Sequence, residues 1–169
     1  MASKAPKGTA PKAKTADAKA GGKVPDFALA TDAGTEMNRA GLKGRPYVLY
    51  FYPKDNTSGC TREAVDFSAA MAKFARLGVQ VLGVSRDSLA SHEKFRDKHK
   101  LKLVLASDPD AEAARAFGVW GEKTLYGRKF MGVERATFLV DAKGNIAEAW
   151  RKVKVPGHVE AVLAAAKKL

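Results

Sequence analysis

Between residues 47 and 78 the apolar pattern changes period once, and that change restricts the fold more than any other feature of the chain. Tyr47-Val48-Leu49-Tyr50-Phe51-Tyr52 is an unbroken apolar and aromatic run stopped by Pro53, as expected of a strand buried on both faces. Beyond Cys60, the residues Ala64, Phe67, Met71 and Phe74 recur at intervals of 3, 4 and 3, which places them on one face of a helix. Gly78 stands where such a helix takes a left-handed closing residue. A buried strand entering a helix through a short polar turn is the first half of a parallel βαβ unit.

The flanking segments extend that unit. Residues 79–85 and 101–106 are strand-like, with a helical stretch at 88–99 between them. Asp108-Pro109 places a capping residue before a proline and predicts a helix over 110–117. Residues 119–133 read as a glycine- and aromatic-rich loop. Asp141-Ala142-Lys143-Gly144 joins strands at 136–140 and 146–153, Asp32-Ala33-Gly34 joins a smaller hairpin, and a helix at 158–168 buries Val159, Val162 and Leu163. The order predicts an α/β chain of thioredoxin-like arrangement, with a central, mixed, mostly parallel sheet covered by helices on both faces.

Of 169 residues, 24–169 therefore form one domain. Residues 1–23 carry six lysines and one aspartate, a large share of the +12 net charge, with almost no apolar side chain. A segment so poor in burial cannot offset its ordering entropy and is read as a disordered tail. Its two roles are a solubilising extension or a weak nucleic-acid contact through phosphate charge. It holds no apolar core of a secretory signal, and no run approaches the ~20 apolar residues of a bilayer span. With one cysteine and no intrachain disulfide to form, the expected compartment is the cytoplasm.

That cysteine, Cys60, falls at or just before the start of the helix. The partial positive charge and free N–H groups there favour a charged sulfur and can hold a polar substrate atom beside it. A lone cysteine is more often a small buried hydrophobe, but the neighbours Asn56, Thr57, Ser58, Gly59, Thr61 and Arg62 argue for a reactive one. Glu63 stands where a capping-box acid turns back to the helix start. His92, His99 and His158 lack metal-ligand spacing and read as surface or packing residues. Trp120 and Tyr126 read as satellite packing, with the lining of an apolar approach for a substrate as the lesser alternative, and Gly127 with Gly132 lacks the Lys-Ser/Thr ending of a phosphate loop.

Pro53-x-x-x-Thr57-x-x-Cys60 resembles the active-site signature of the peroxiredoxins. Tyr50-Phe51-Tyr52-Pro53-Lys54-Asp55, Gly83-Val84-Ser85, Ser91-His92, Ser107-Asp108-Pro109, Gly118-Val119-Trp120-Gly121-Glu122-Lys123, Gly132-Val133-Glu134-Arg135 and Thr137-Phe138 are similar to the peroxiredoxin Q branch, also called bacterioferritin comigratory protein. The resemblance implies a thiol peroxidase acting on hydrogen peroxide and organic hydroperoxides. Cys60 would attack the peroxide, Pro53 shield it from water, Thr57 position the peroxide, and Arg135 stabilise the thiolate and the developing charge, with Glu63 structural and available also to orient that arginine. No cofactor or metal is implied, and the reductant would be thioredoxin, glutathione or another external thiol, serving a monomer or weak dimer. Two departures stand out. Ser58 replaces a common proline, and Val65 occupies the position of a resolving cysteine, so the chain reads as a one-cysteine form. The alternatives are a non-enzymatic polyanion-associated protein on the same scaffold, or a thiol–disulfide exchange protein, which the missing second cysteine of a Cys-x-x-Cys pair weakens.

Overall fold

The computed structural model describes residues 18–169. Its elements are β1 (Ala28–Thr31), β2 (Glu36–Asn38), α1 (Arg39–Leu42), β3 (Tyr47–Phe51), α2 (Ser58–Arg76), β4 (Gln80–Ser85), α3 (Leu89–His99) and β5 (Val104–Ser107), then α4 (Glu112–Ala116), β6 (Trp120–Leu125), β7 (Arg128–Val133), β8 (Ala136–Val140), β9 (Ile146–Trp150) and α5 (His158–Ala166). Seven strands form one sheet in the order β2-β1-β5-β4-β3-β8-β9, and β6 pairs with β7 apart from it. The mixed thioredoxin-like sheet is as expected, but its parallel part is smaller. Only β3–β4 and β4–β5 pair in parallel, while β1–β2, β1–β5, β3–β8 and β8–β9 are antiparallel. The cause is that β1 and β8 insert against the run of the central strands.

The two-sided burial of β3 organises the interior. Tyr47, Leu49 and Phe51 face a core completed by Leu42, Phe117 and Phe138, while Val48, Tyr50 and Tyr52 face a second core with Phe67, Phe74, Phe95 and Val162. Helices α2, α3 and α5 cover the second face, and α1 and α4 contribute to the first. Helix α2 closes as its glycine predicts. Gly78 N donates to Ala75 O and Val79 N to Phe74 O, with Gly78 at φ +72°.

Three expectations need correction. Helix α4 starts at Glu112, after Ala111 at φ 58°, rather than at residue 110. Asp108 still caps it by accepting from Ala113 N and Ala114 N at 3.1 and 3.0 Å. Residues 119–133 form the β6–β7 hairpin rather than a loop, turning at Tyr126 and Gly127, both at positive φ. Residues 18–23, placed with the tail at 1–23, are held against the sheet. Residues 1–17 lie outside the described residues, but Ala18 is buried, Gly21 N donates to Ile146 O, Ile146 N donates to Gly22 O, and Lys23 bridges Asn145. The backbone at the start of β9 supplies partners that a composition argument cannot see.

Candidate active site

The site gathers where β3 ends. Parallel pairing with β4 and antiparallel pairing with β8 hold the carboxyl end of β3 in the middle of the sheet. The turn from Pro53 to Thr57 leads from there into α2, whose third residue is Cys60. Thr57 is the N-cap, yet its hydroxyl is not spent on a helix N–H and instead donates to Lys54 O at 3.0 Å. The N–H groups of the first helical turn therefore point past Cys60 with no cap side chain on them.

Cys60 is only 1% exposed and belongs to the apolar cluster of Tyr50, Tyr52 and Ala64. Its polar neighbours in sequence suggested an exposed thiol. They line the outer side of the helix end, while the sulfur turns inward. It does not meet an inert wall. Arg135 Nη2 lies 3.4 Å from Cys60 Sγ, and Arg135 Nη1 donates to Glu63 Oε1 at 2.7 Å. One guanidinium thus serves two acceptors, a geometry that its rigid fork allows and a lysine would not.

The 75-residue separation between Arg135 and Cys60 is closed by strand register. Ala136 of β8 pairs with Phe51 of β3, so Arg135 sits one residue beyond the ladder, beside the start of the active-site turn. Gly59 makes room for it, since a Cβ there would stand 3.1 Å from Arg135 Nη2. Burial alone would lower Arg135, but the charges of Cys60 and Glu63 outweigh it and raise the arginine further. Burial pushes Glu63 up to about 7 against the opposing pull of Arg135. Glu63 Oε2 and Tyr50 Oη are buried without a partner, and burial with the nearby Glu63 charge holds Tyr50 well above its ordinary value.

Glu63 therefore does not close a capping box. Three residues into the helix beyond Cys60, it faces inward and orients Arg135 instead. Pro53 is half-buried and lines a cleft of about 470 Å³ with Lys54, Trp120, Phe130 and Met131. A second cleft, about 450 Å³, reaches Arg135, and Trp120, Lys123 and Gly132 border both. The β6–β7 hairpin thus walls the approach to the turn, the lesser of the two alternatives weighed for Trp120. The two-residue turn Tyr126-Gly127, with both residues at positive φ, was its available signal. Tyr126, read as packing, is 94% exposed at the hairpin tip, and Trp120 carries the Arg86 guanidinium 4.9 Å above its ring.

Two of the histidines are fully built into the interior. His158 is buried, shares a 2.8 Å hydrogen bond with Thr137 Oγ1, and is lowered to about 4 by burial and by Arg135. His92 lies against Asp55 of the active-site turn, a contact the sequence reading missed. Among the described residues no group of histidine, cysteine and acidic side chains could hold a metal ion, and no helix is long and apolar enough to cross a membrane.

Residues 20–149 match the AhpC/TSA family. Peroxiredoxin Bcp of Xanthomonas campestris is 47% identical over 142 residues, covering 84% of this chain and 89% of that one. Peroxiredoxin Bcp of Bacillus subtilis is 46% identical over 143 residues, covering 85% and 91%. In structure, a bacterioferritin comigratory protein of Xanthomonas campestris, solved as trapped intermediate and ligand complexes bearing on its alkyl peroxide reduction activity, matches with a TM-score of 0.80 at 46% identity, over 84% of this chain and 90% of that one.

Proposed function

The chain belongs to the AhpC/TSA family, and from that membership we propose that it is a thiol-dependent peroxidase acting through Cys60. The observation that carries the reading is the contact of Arg135 Nη2 with Cys60 Sγ at 3.4 Å, at the N-terminus of α2.

In the first step the Cys60 thiolate attacks the nearer oxygen of a hydroperoxide. The S–O bond forms as the O–O bond breaks, Cys60 becomes a sulfenic acid, and the peroxide leaves as an alcohol, or as water from hydrogen peroxide, after taking up a proton. Arg135 offsets negative charge on the sulfur before reaction and on the two oxygens as they part. Thr57, whose hydroxyl hydrogen is committed to Lys54 O, has lone pairs left to accept the peroxide O–H. Pro53 keeps bulk water from the reacting pair.

In the second step an external thiol attacks the sulfenic sulfur, releases water and forms a mixed disulfide. A second thiol then displaces Cys60. Val65 leaves the chain with no internal thiol for this step, so the reductant is thioredoxin, glutathione or another small thiol. A protein that depends on outside thiols belongs where they are kept reduced, which assigns it to the cytoplasm. Each chain carries the whole set of groups, so a monomer suffices for the chemistry. The basic residues 1–23 were considered for a weak nucleic-acid contact, and of these 1–17 lie outside the described residues.

Peroxide consumption with dithiothreitol as reductant tests the reading. The wild type should consume hydrogen peroxide and an alkyl hydroperoxide, and Cys60→Ser should consume neither. Equal consumption by the two proteins removes Cys60 from the chemistry.

A further inference from the structure

The turn that carries the reaction is fastened by a charge. Of residues 53–59 only Asp55 is buried, and its side chain is 2% exposed. Its Oδ1 accepts from Tyr52 Oη at 2.6 Å, and its Oδ2 accepts from Ser91 Oγ at 2.8 Å. His92 Nδ1 lies 2.8 Å from the same Oδ2, and its side chain is wholly buried. The backbone is held too, since Asp55 N donates to Asp87 Oδ2 at 2.9 Å.

Hydrogen-bond accounting gives the protonation state. His92 Nε2 faces the Ala106 carbonyl at 2.9 Å, and a carbonyl can only accept, so Nε2 carries a hydrogen. Nδ1 faces a carboxylate oxygen that already accepts from Ser91, so Nδ1 carries one as well. The ring is an imidazolium between two acceptors. It ties the turn to the first turn of α3 and to β5, two elements that contain no catalytic group.

The two halves of the proposed reaction make opposite demands on this fastening. Attack on peroxide needs Pro53, Thr57 and Cys60 held in place. Attack by a thiol needs the sulfur, 1% exposed in this arrangement, to come out to a bulkier partner. We propose that His92 and Asp55 are a positioning pair whose ionic contact holds the active-site turn in its peroxide-reactive form, and whose release admits the reducing thiol. The inference rests on the peroxidase reading. It predicts that loosening the pair slows the peroxide step, speeds the thiol step, and lowers the fraction of Cys60 lost to sulfinic acid, because the sulfenic acid waits less time for a second peroxide.

The charged and titratable groups facing His92 are Asp55 on the turn, Asp87 on the β4–α3 connection and Tyr52 at the end of β3, with Ser91 and the Ala106 carbonyl completing its surroundings. Burial alone would lower His92, but the Asp55 hydrogen bond and charge outweigh it and raise it above 6.5. Burial would raise Asp55, but hydrogen bonds from His92 and Tyr52 hold it below 3.8. The stabilisation from Asp55 is present above that ordinary value and is lost as pH falls through its folded one. The stabilisation from His92 is complete below about 6.5 and is lost as pH rises through its raised value. The pair therefore opens on the alkaline side.

The test measures the two half-reactions separately in wild type, His92→Gln and Asp55→Asn. Peroxide consumption by the reduced proteins gives the first rate. The proteins, oxidised with one equivalent of peroxide, are then mixed with dithiothreitol, quenched and weighed intact for the second. The expected result is a peroxide rate reduced by roughly ten-fold and a thiol step accelerated at least three-fold, with less sulfinic acid per turnover. The wild type should drift the same way as pH rises, and His92→Gln should not. Unchanged rates, or both rates slowed together, overturn the proposal. If a variant does not fold, the pH dependence of the two wild-type rates decides it, since their failure to diverge is equally fatal. A wild type inert to peroxide refutes the peroxidase reading instead, so the two failures are distinguishable.

Discussion

Removing Arg135 tests the charge arrangement most directly. A cation 3.4 Å from a charged sulfur is worth about 5 kcal/mol at an effective dielectric constant of about 20. The arginine side chain is 18% exposed, and water filling its place recovers part of that. The loss of one aimed donor at a developing anion runs to about 2.7–4 kcal/mol, or roughly 100- to 1000-fold in rate. The second-order rate of Arg135→Ala with hydrogen peroxide should therefore fall by about 100-fold. The substitution also strands Glu63, which is fully buried and would lose its cation, and breaking a buried pair from one side costs about 3–5 kcal/mol of stability. The clean comparison is thus Glu63→Gln against Glu63→Gln/Arg135→Ala, both checked by circular dichroism and thermal melting. Arg135→Lys should fall between, by about ten-fold, because an ammonium keeps the charge but cannot span Sγ and Oε1. A folded double variant reacting with peroxide within about three-fold of Glu63→Gln refutes the reasoning.

Glu63 itself gives an unusual pH signature. Because burial raises it to about 7, the folded state holds its proton after the unfolded state has released it at about 4.5, and stability falls as pH climbs between those values. Glu63→Gln should flatten that part of the stability curve measured by urea unfolding, and an identical slope in both proteins contradicts the assignment. Starting the chain at Val24 instead of Ala18 removes the hydrogen bonds of Gly21 and Gly22 to Ile146 and the packing of Ala18, a loss of about 1–3 kcal/mol that thermal melting would register. Equal melting of the two truncations means the edge contacts contribute nothing. Val65→Cys places a thiol five residues beyond Cys60 on the outer side of α2, about 7.5 Å along the axis and on a different face. One equivalent of peroxide should then give an intrachain disulfide with loss of helical signal, whereas the wild type should keep the added oxygen of the sulfenic acid. A disulfide that leaves the helical signal intact shows that α2 need not unwind.

The secondary structure was legible wherever one strong period governed a segment. Strand β3 is read to within a residue because every position meets one of two cores, and the end of α2 because its apolar face repeats every three to four positions. The start of α2 at Ser58 precedes the first apolar position, Ala64, and Cys60 lies inside the helix rather than at its edge. The misreadings fall where partners come from far along the chain. The hairpin of β6 and β7 is mostly exposed, so no apolar alternation marks it, and only the Tyr126-Gly127 turn betrays it. Residues 18–23 look like tail in composition because their stabilisation is backbone pairing to β9, which leaves no trace in side-chain hydrophobicity. The antiparallel pairing of β1 with β5 is likewise a fact about sheet order, and local sequence does not encode order.

The site divides along the same line. Cys60 was legible as a candidate from its polar neighbours and its place at a helix start, whereas the role given to Thr57 came from the resemblance. Arg135 required either a resemblance or the register that sets Ala136 opposite Phe51. The Asp55–His92 pair was hidden by a sound general rule, that a histidine with no ligand spacing is packing. That rule judges a histidine by its neighbours in sequence. What distinguishes His92 is that both ring nitrogens face acceptors on other elements, one on the active-site turn and one on β5. A neutral packing histidine needs only one donor site, so two acceptors at hydrogen-bond distance force a charge into the interior, and a buried charge needs a counter-charge. The same reasoning explains why the pair sits beneath the turn. A loop of otherwise exposed or half-buried residues, with Asn56 at φ 63°, has no fully buried apolar side chain to anchor it, so its attachment is polar, and this polar attachment is released when His92 loses a proton.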